Sequence, residues 1–76
     1  MIWEDASTST YNAERTTVNG HTVIVCLDDE GPLHPAFYWE VIPSWPREVD
    51  NRKIDGWART VERARKDAVK AAKEET

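Results

Sequence analysis

Residue types that support catalysis or metal binding are few in this sequence, and they are scattered. Asp28, Asp29 and Glu30 form the densest group of hard oxygen ligands. Three successive side chains do not converge on one cation, and their spacing differs from that of a calcium loop. His21 and His34 are far apart, and the sequence has neither a phosphate-binding glycine loop nor a Cys/His cluster with ligand spacing. We therefore expect a non-enzymatic protein with no catalytic residues, no metal and no cofactor.

Trp45 is the side chain best suited to anchoring a partner protein. It lies between Pro43 and Pro46, in a segment where a buried core residue is not expected. Large amphipathic rings dominate the binding energy of many interfaces, although Trp45 folded back over the end of a sheet is the alternative. Trp3 and Trp57 have a similar status, with structural roles as the alternative, because Trp57 lies next to the predicted helix start and Trp3 is placed to cover a sheet edge. The predicted protein-binding surface consists of Trp45 and an acidic patch, Asp28, Asp29 and Glu30, that a basic partner would recognise.

Basic side chains follow one side of the C-terminal segment. If a helix extends from residue 59, they fall within roughly 80° of arc at about 100° per residue. Acids at Glu62, Asp67 and Glu74 form i,i+4 pairs of opposite charge with bases of this segment, which is typical of a solvated helix face. Nucleic-acid binding is the alternative function. The basic stripe consists of Arg59, Arg63, Lys66, Lys70 and Lys73.

The net charge of the chain limits the classes of partner that it attracts. The net charge is −4 and the isoelectric point is about 5.0, which disfavours nonspecific attraction to nucleic acid or to an anionic membrane. Residues 1–58 carry ten acids and four bases, whereas residues 59–76 carry six bases and four acids. The basic stripe is therefore the strongest nucleic-acid signal in the chain.

A turn dipeptide and two-residue alternation predict an antiparallel meander. Asn19 and Gly20 both tolerate the positive φ of a type I′ turn, and β-rich runs flank them. The run after the turn has no strongly polar face, which indicates a central strand. Strands are predicted at about residues 11–18, 21–27, 37–42 and 53–58, with residues 1–10 expected to be mostly loop or an edge strand.

The C-terminal segment predicts one helix over about residues 61–75. Thr60 is placed as the N-cap, and the apolar positions at helical spacing are almost all alanine. Small residues let a helix approach a sheet closely, so the strand face with Phe37, Trp39 and Val41 is the expected partner. The predicted fold class is α+β, an antiparallel three- to four-stranded meander packed against one C-terminal α-helix.

The chain is long enough for only one hydrophobic core. Its 76 residues form a single predicted domain that needs stabilisation beyond a small core. Cys26 is the only cysteine, so an intrachain disulfide is excluded, and the four tryptophans or a homodimer must contribute. We expect Cys26 to be a buried, reduced thiol and the protein to be cytoplasmic, with neither a membrane span nor a secretory signal.

The junction between the last strand and the helix resembles known DNA-binding domains. The residues are Lys53-Ile54-Asp55-Gly56-Trp57-Ala58-Arg59-Thr60, followed by Ala64, Ala68 and Ala72. They resemble the end of the domains in AP2 proteins and at integrase N-termini, which have three antiparallel strands and one C-terminal helix. That resemblance implies DNA binding by a basic sheet, yet residues 21–27 and 37–42 contain no Lys or Arg.

A second resemblance concerns the whole chain. In size, tryptophan content and the Gly-Trp-Ala-Arg-Thr start of an Ala/Arg-rich helix, it is similar to small uncharacterised proteins of actinobacterial phages. This resemblance implies a phage product in a bacterial cytoplasm that binds and modulates a host protein. We therefore expect a protein-binding module, with nucleic-acid binding as the alternative.

Overall fold

The strands pair in the order in which they occur along the chain. The computed structural model describes residues 2–28, 36–44 and 54–74. One antiparallel sheet with the order β1-β2-β3-β4-β5 is followed by one helix, which is the α+β meander that the sequence predicts. The elements are β1 (Glu4–Asp5), β2 (Ala13–Val18), β3 (His21–Cys26), β4 (Phe37–Ile42), β5 (Ile54–Ala58) and α1 (Val61–Glu74).

The sheet has one strand more than the maximum of four predicted. Within residues 1–10, the two-residue strand β1 pairs with β2, so that Glu4 lies opposite Arg15 and Asp5 opposite Glu14. Two residues are too few to produce a readable alternation. Of the two alternatives for this segment, both occur: β1 is a short edge strand, and the rest of the described part, from Ile2 onward, is loop.

The β2–β3 hairpin is closed by the predicted turn. Asn19 has φ 52° and Gly20 has φ 85°, and Val18 lies opposite His21 in the register. Positive φ at both central residues is the signature of a two-residue type I′ turn, whose twist matches that of paired strands. The dipeptide therefore fixes the register of the two strands at the centre of the fold.

The alanine side of α1 packs on one face of the sheet, as predicted. Ala64, Ala68 and Ala72 are fully buried, and they share a core with Val23 and Val25, which are also fully buried. Each such valine contributes roughly 1.5–3 kcal/mol by burial. Because alanine is small, the helix lies close to the strands, and the large rings of the sheet fill the space at its sides.

Trp39 requires a glycine beside it. Its indole lies over Gly56 on the neighbouring strand, and a Cβ added at Gly56 would come within 2.6 Å of Trp39 Cζ2. Contacts that short do not occur between carbon atoms, so only glycine fits at this position. The Gly56-Trp57 step in the sequence therefore reflects packing on the helix side of the sheet.

The helix begins with a side-chain cap. The backbone amide of Arg63 donates a hydrogen bond to Thr60 Oγ1 at 3.1 Å, and the amide of Ala64 donates to the Thr60 carbonyl at 3.0 Å. This confirms Thr60 as the N-cap. Helical structure therefore starts at Val61 and does not extend back to Arg59.

His21 and Cys26 are of residue types that often take part in catalysis, but both are buried in this fold. His21 is fully buried, and its Nδ1 accepts a hydrogen bond of 3.1 Å from the Ser44 amide, which ties the start of β3 to the end of β4. Cys26 is a buried thiol, as predicted. α1, the helix of the described residues, is too short and too polar to cross a bilayer.

Candidate functional site

One face of the sheet carries no described helix. Side chains alternate along each strand, so the residues between the core positions point away from α1. The cross-strand register aligns them in rows, one of which runs from Arg15 through Ile24 and Glu40 to Asp55. We call this the open face, and it consists of Glu4, Arg15, Thr17, Thr22, Ile24, Tyr38, Glu40, Ile42, Asp55 and Trp57.

Two aromatic rings form the centre of the β4–β5 half of the open face. Tyr38 and Trp57 lie directly opposite each other, with ring centroids 5.1 Å apart and planes tilted by 57°. Trp57 is 49% exposed, and Ile42, on the same face, is 46% exposed. Exposed aromatic and aliphatic area of this kind is what a protein partner buries at the centre of an interface.

Two carboxylates lie beside these rings. Glu40 and Asp55 are direct cross-strand neighbours on β4 and β5, which places like charges about 5 Å apart at their Cβ atoms. Tyr38 Oη donates a hydrogen bond of 2.8 Å to Asp55 Oδ2. Burial, helped by this hydrogen bond, raises the pKa of the Tyr38 hydroxyl above its ordinary value, so that the hydroxyl remains a donor.

Arg15, the described cation on the open face, pairs with a different carboxylate. Arg15 Nε is 3.8 Å from Glu4 Oε2, at the β1 edge of the sheet. Among the described residues, no cation lies within ion-pair distance of Glu40 or Asp55. Within the described part of the chain, the carboxylate pair is therefore a negative site without a cation partner, beside an exposed tryptophan.

The predicted acidic and tryptophan surface is only partly described. Asp28 lies at the end of β3, where its Oδ2 accepts a hydrogen bond of 2.8 Å from the Asn12 amide and its Oδ1 one of 3.2 Å from Asn12 Nδ2. Both oxygens thus join the end of β3 to the start of β2. Asp29, Glu30 and Trp45 lie outside the described residues, so their part in a binding surface stays a prediction.

The structure separates the predicted basic stripe into parts. Arg59 precedes the helix cap, and Arg63 Nε forms an ion pair of 3.1 Å with Asp67 Oδ1. Lys66, Lys70 and Lys73 follow one another along the side of α1 that faces Trp3. Four of the five predicted cations therefore lie on α1, three of them lysines beside an aromatic ring, and Arg59 lies before the helix.

The contacts around Trp3 were not predicted from the sequence. Trp3 packs against the core at the β1 edge, which confirms its expected covering role, and the Arg65 guanidinium lies 5.6 Å from its ring centroid. Arg65 donates two hydrogen bonds to Glu14, from Nη2 to Oε2 at 2.9 Å and from Nε to Oε1. These bonds raise the pKa of the Arg65 guanidinium.

The open-face residues were also missed, although part of their signal is in the sequence. Alternation in residues 37–42 places Tyr38, Glu40 and Ile42 opposite the aromatic core face. Trp57 precedes the helix cap, as expected, and its ring lies on the same face as Tyr38. Only the β4–β5 register brings these residues together.

Within residues 2–28, 36–44 and 54–74, no three His, Cys, Asp or Glu side chains converge as a metal site. No protein-family model, curated protein or solved structure matches the chain significantly. We therefore infer function from the geometry of the chain itself.

Proposed function

We propose that this chain is a small non-enzymatic protein-binding module that uses the β4–β5 half of its open face. The observation that carries this proposal is the pair Glu40 and Asp55, which no cation of the described residues compensates, beside the exposed Trp57. Like charges directly opposite each other destabilise a sheet by roughly 0.2–1 kcal/mol. Positions that oppose stability in this way are expected where a protein binds a partner.

The chemistry of the face selects a basic partner. An arginine placed between Glu40 and Asp55 would neutralise the repulsion, and its planar guanidinium can hydrogen-bond carboxylates in pairs. The same cation would lie near the exposed Trp57 ring, where a cation–π contact contributes about 0.5–1 kcal/mol. The exposed Ile42 and the half-buried Ile24 add apolar area around this centre. The preferred partner surface therefore combines a guanidinium with aliphatic side chains.

The size of the open face predicts a modest affinity. Strands about 4.8 Å apart that rise about 3.3 Å per residue give this five-stranded face an area of roughly 400 Å². A standard protein interface buries about 800 Å² on each partner. We expect a reversible complex that weakens with salt, because part of its attraction is electrostatic.

The partner class follows from the second resemblance noted for the sequence. The likeness to small proteins of actinobacterial phages implies a bacterial host protein, bound in the host cytoplasm. Trp45, Asp29 and Glu30 remain predicted contributors to the same binding. Trp45→Ala is a separate variant that tests its predicted contribution to capture.

Replacement of the exposed ring tests the proposal. We expect a host protein to be captured from a nuclease-treated actinobacterial lysate by the wild-type chain and lost with Trp57→Ala, because the anchor of the interface is removed. Quantitative mass spectrometry of the retained proteins is the measurement. Captured proteins should elute as salt is raised.

Ile2→Ala is the matched control. Ile2 is 80% exposed and precedes β1, at the opposite edge of the same sheet. We expect this variant to capture the same protein as the wild-type chain, and thermal unfolding should show that both variants are folded. Capture that does not differ between the wild-type chain and Trp57→Ala, whether of the same proteins or of none, contradicts the proposal.

A further inference from the structure

A second concave surface lies on the helix side of the molecule. α1 packs mainly on β3, β4 and β5, and Trp3 fills part of the space that remains beside it over β2. Between Trp3 and the helix is a groove with a volume of about 580 Å³. Its floor is Trp3 and Val69, and its rim is formed by Arg65, Lys66, Lys70, Lys73 and Glu74.

The floor of this groove is held in place before any ligand binds. Glu14 is buried, and its two hydrogen bonds from Arg65 fix the guanidinium near the Trp3 ring. Thr16 Oγ1 donates a hydrogen bond of 2.7 Å to the Ile2 carbonyl, which anchors the backbone directly before Trp3. A ligand would therefore meet an ordered aromatic surface and would lose little affinity to rearrangement.

The rim of the groove is positively charged, whereas its floor is apolar. Lys66 and Lys70 are exposed, and in the described part of the chain neither forms an ion pair with a carboxylate. Like charges at i and i+4 destabilise a helix by a few tenths of a kcal/mol. The groove thus offers two neighbouring ammonium groups directly above apolar area.

We propose that this groove is a second binding site, for an acidic peptide segment that carries an apolar side chain. The apolar side chain would lie on Trp3 and Val69, and carboxylates on either side of it would reach Lys66 and Lys70. This site is independent of the open face, and it selects a partner of the opposite charge.

The observations favour a peptide over a nucleic acid. The lysine row from Lys66 to Lys73 is only about 10 Å long at about 1.5 Å per residue, which matches a pair of carboxylates better than a run of phosphates. The chain also carries a net charge of −4, which repels a polyanion at longer range. Recognition by an acidic peptide needs only the local charge of the groove.

Fluorescence anisotropy with synthetic probes tests this site. The probe is a short fluorescent peptide with acidic residues on both sides of a Phe-Leu pair. One comparison peptide has glutamine in place of the acids, and another has serine in place of the Phe-Leu pair. We expect both changes to weaken binding at least tenfold, because each removes one of the two contacts that define the site.

Two double variants of the chain locate the site. Lys66→Gln with Lys70→Gln should weaken binding of the acidic peptide at least tenfold. Arg59→Gln with Arg63→Gln makes the same change in net charge outside the groove and should alter affinity less than threefold. Trp57→Ala should bind the peptide as the wild-type chain does, which separates this site from the open face.

Three outcomes would overturn the proposal. The first is equal affinity of the wild-type chain and the Lys66/Lys70 variant for the acidic peptide. The second is equal binding of the acidic and glutamine peptides. The third is steeply salt-dependent binding of a single-stranded oligonucleotide by a chain that does not bind the peptide, which would assign the lysine row to nucleic acid.

Discussion

Glu40 and Asp55 occupy cross-strand positions where a sheet usually pairs opposite charges. Glu40→Gln keeps the shape of the side chain and removes the repulsion. We expect it to raise the free energy of unfolding by about 0.3 kcal/mol, a small gain because solvent screens the pair. The same variant should weaken capture of the partner protein, so that stability and binding change in opposite directions. Urea unfolding measures the first effect.

A matched change on the helix serves as the control. Glu62 lies in the first turn of α1, where a negative charge is favourable. Glu62→Gln should therefore lower stability slightly and leave partner capture unchanged. A loss of stability with Glu40→Gln would show that its carboxylate has a structural role, contrary to the proposal.

Tyr38 gives the open face a defined response to alkaline pH. Burial, together with the hydrogen bond to Asp55, raises the pKa of its hydroxyl from the ordinary value of 10.0. The folded chain therefore keeps this proton at pH values where the unfolded chain releases it. Its contribution to stability is fully present below pH 10.0 and is lost as the pH rises further.

We predict that unfolding free energy falls less steeply above about pH 10 in Tyr38→Phe than in the wild-type chain, because the variant has no hydroxyl to titrate. Urea unfolding at a series of pH values provides the slopes. The comparison cancels every contribution that the two chains share. Identical slopes would contradict the prediction.

The residue-level site could be predicted only in part from the sequence. Alternation identifies which side of its own strand Glu40 occupies, but its neighbour on β5 depends on a register that the intervening segment sets. A shift of one residue would move Asp55 and Trp57 to the helix side. The Asn19-Gly20 turn and the Thr60 cap were predictable because each is determined within a few residues.

At the scale of elements, the close approach of α1 to the sheet is the central feature. Ala68 is fully buried against the strands. Ala68→Leu would force a larger side chain into a filled space, and we expect a loss of about 1–3 kcal/mol in unfolding free energy. Thermal or urea unfolding measures this loss.

Glu62→Leu introduces the same side chain at an exposed position of the same helix. It should change stability by less than about 0.5 kcal/mol, as surface substitutions usually do. Equal effects of the two leucines would contradict the close packing of helix and sheet. The difference between Ala68→Leu and Glu62→Leu reports the cost of packing, because both variants introduce the helix propensity of leucine.

The elements themselves were largely predictable. β4 occupies the predicted residues, and α1 begins where Thr60 places it. β2 and β3 are shorter than predicted at their open ends, where Tyr11, Asn12 and Leu27 lie outside the strands. Leu27 donates a backbone hydrogen bond to Asn12 there. Strand ends are set by such loop contacts, which side-chain patterning does not report.

At the scale of the whole molecule, the two candidate surfaces lie on opposite sides and differ in charge. The open face carries Glu40 and Asp55, whereas the groove beside α1 carries Lys66 and Lys70. Charge separated in this way orients an approaching charged partner before contact. The predicted homodimer and the cytoplasmic location stay predictions, and an oligomer that joined these surfaces head to tail would dissociate at high salt.

The placement of α1 on a single face has a consequence for how the chain can change over generations. Because side chains alternate along every strand, each strand contributes one set of residues to folding and another to the solvent-facing side. Mutations in the second set leave the inherited scaffold intact. Selection can therefore alter what such a protein recognises, one exposed position at a time, while the residues of its core stay the same.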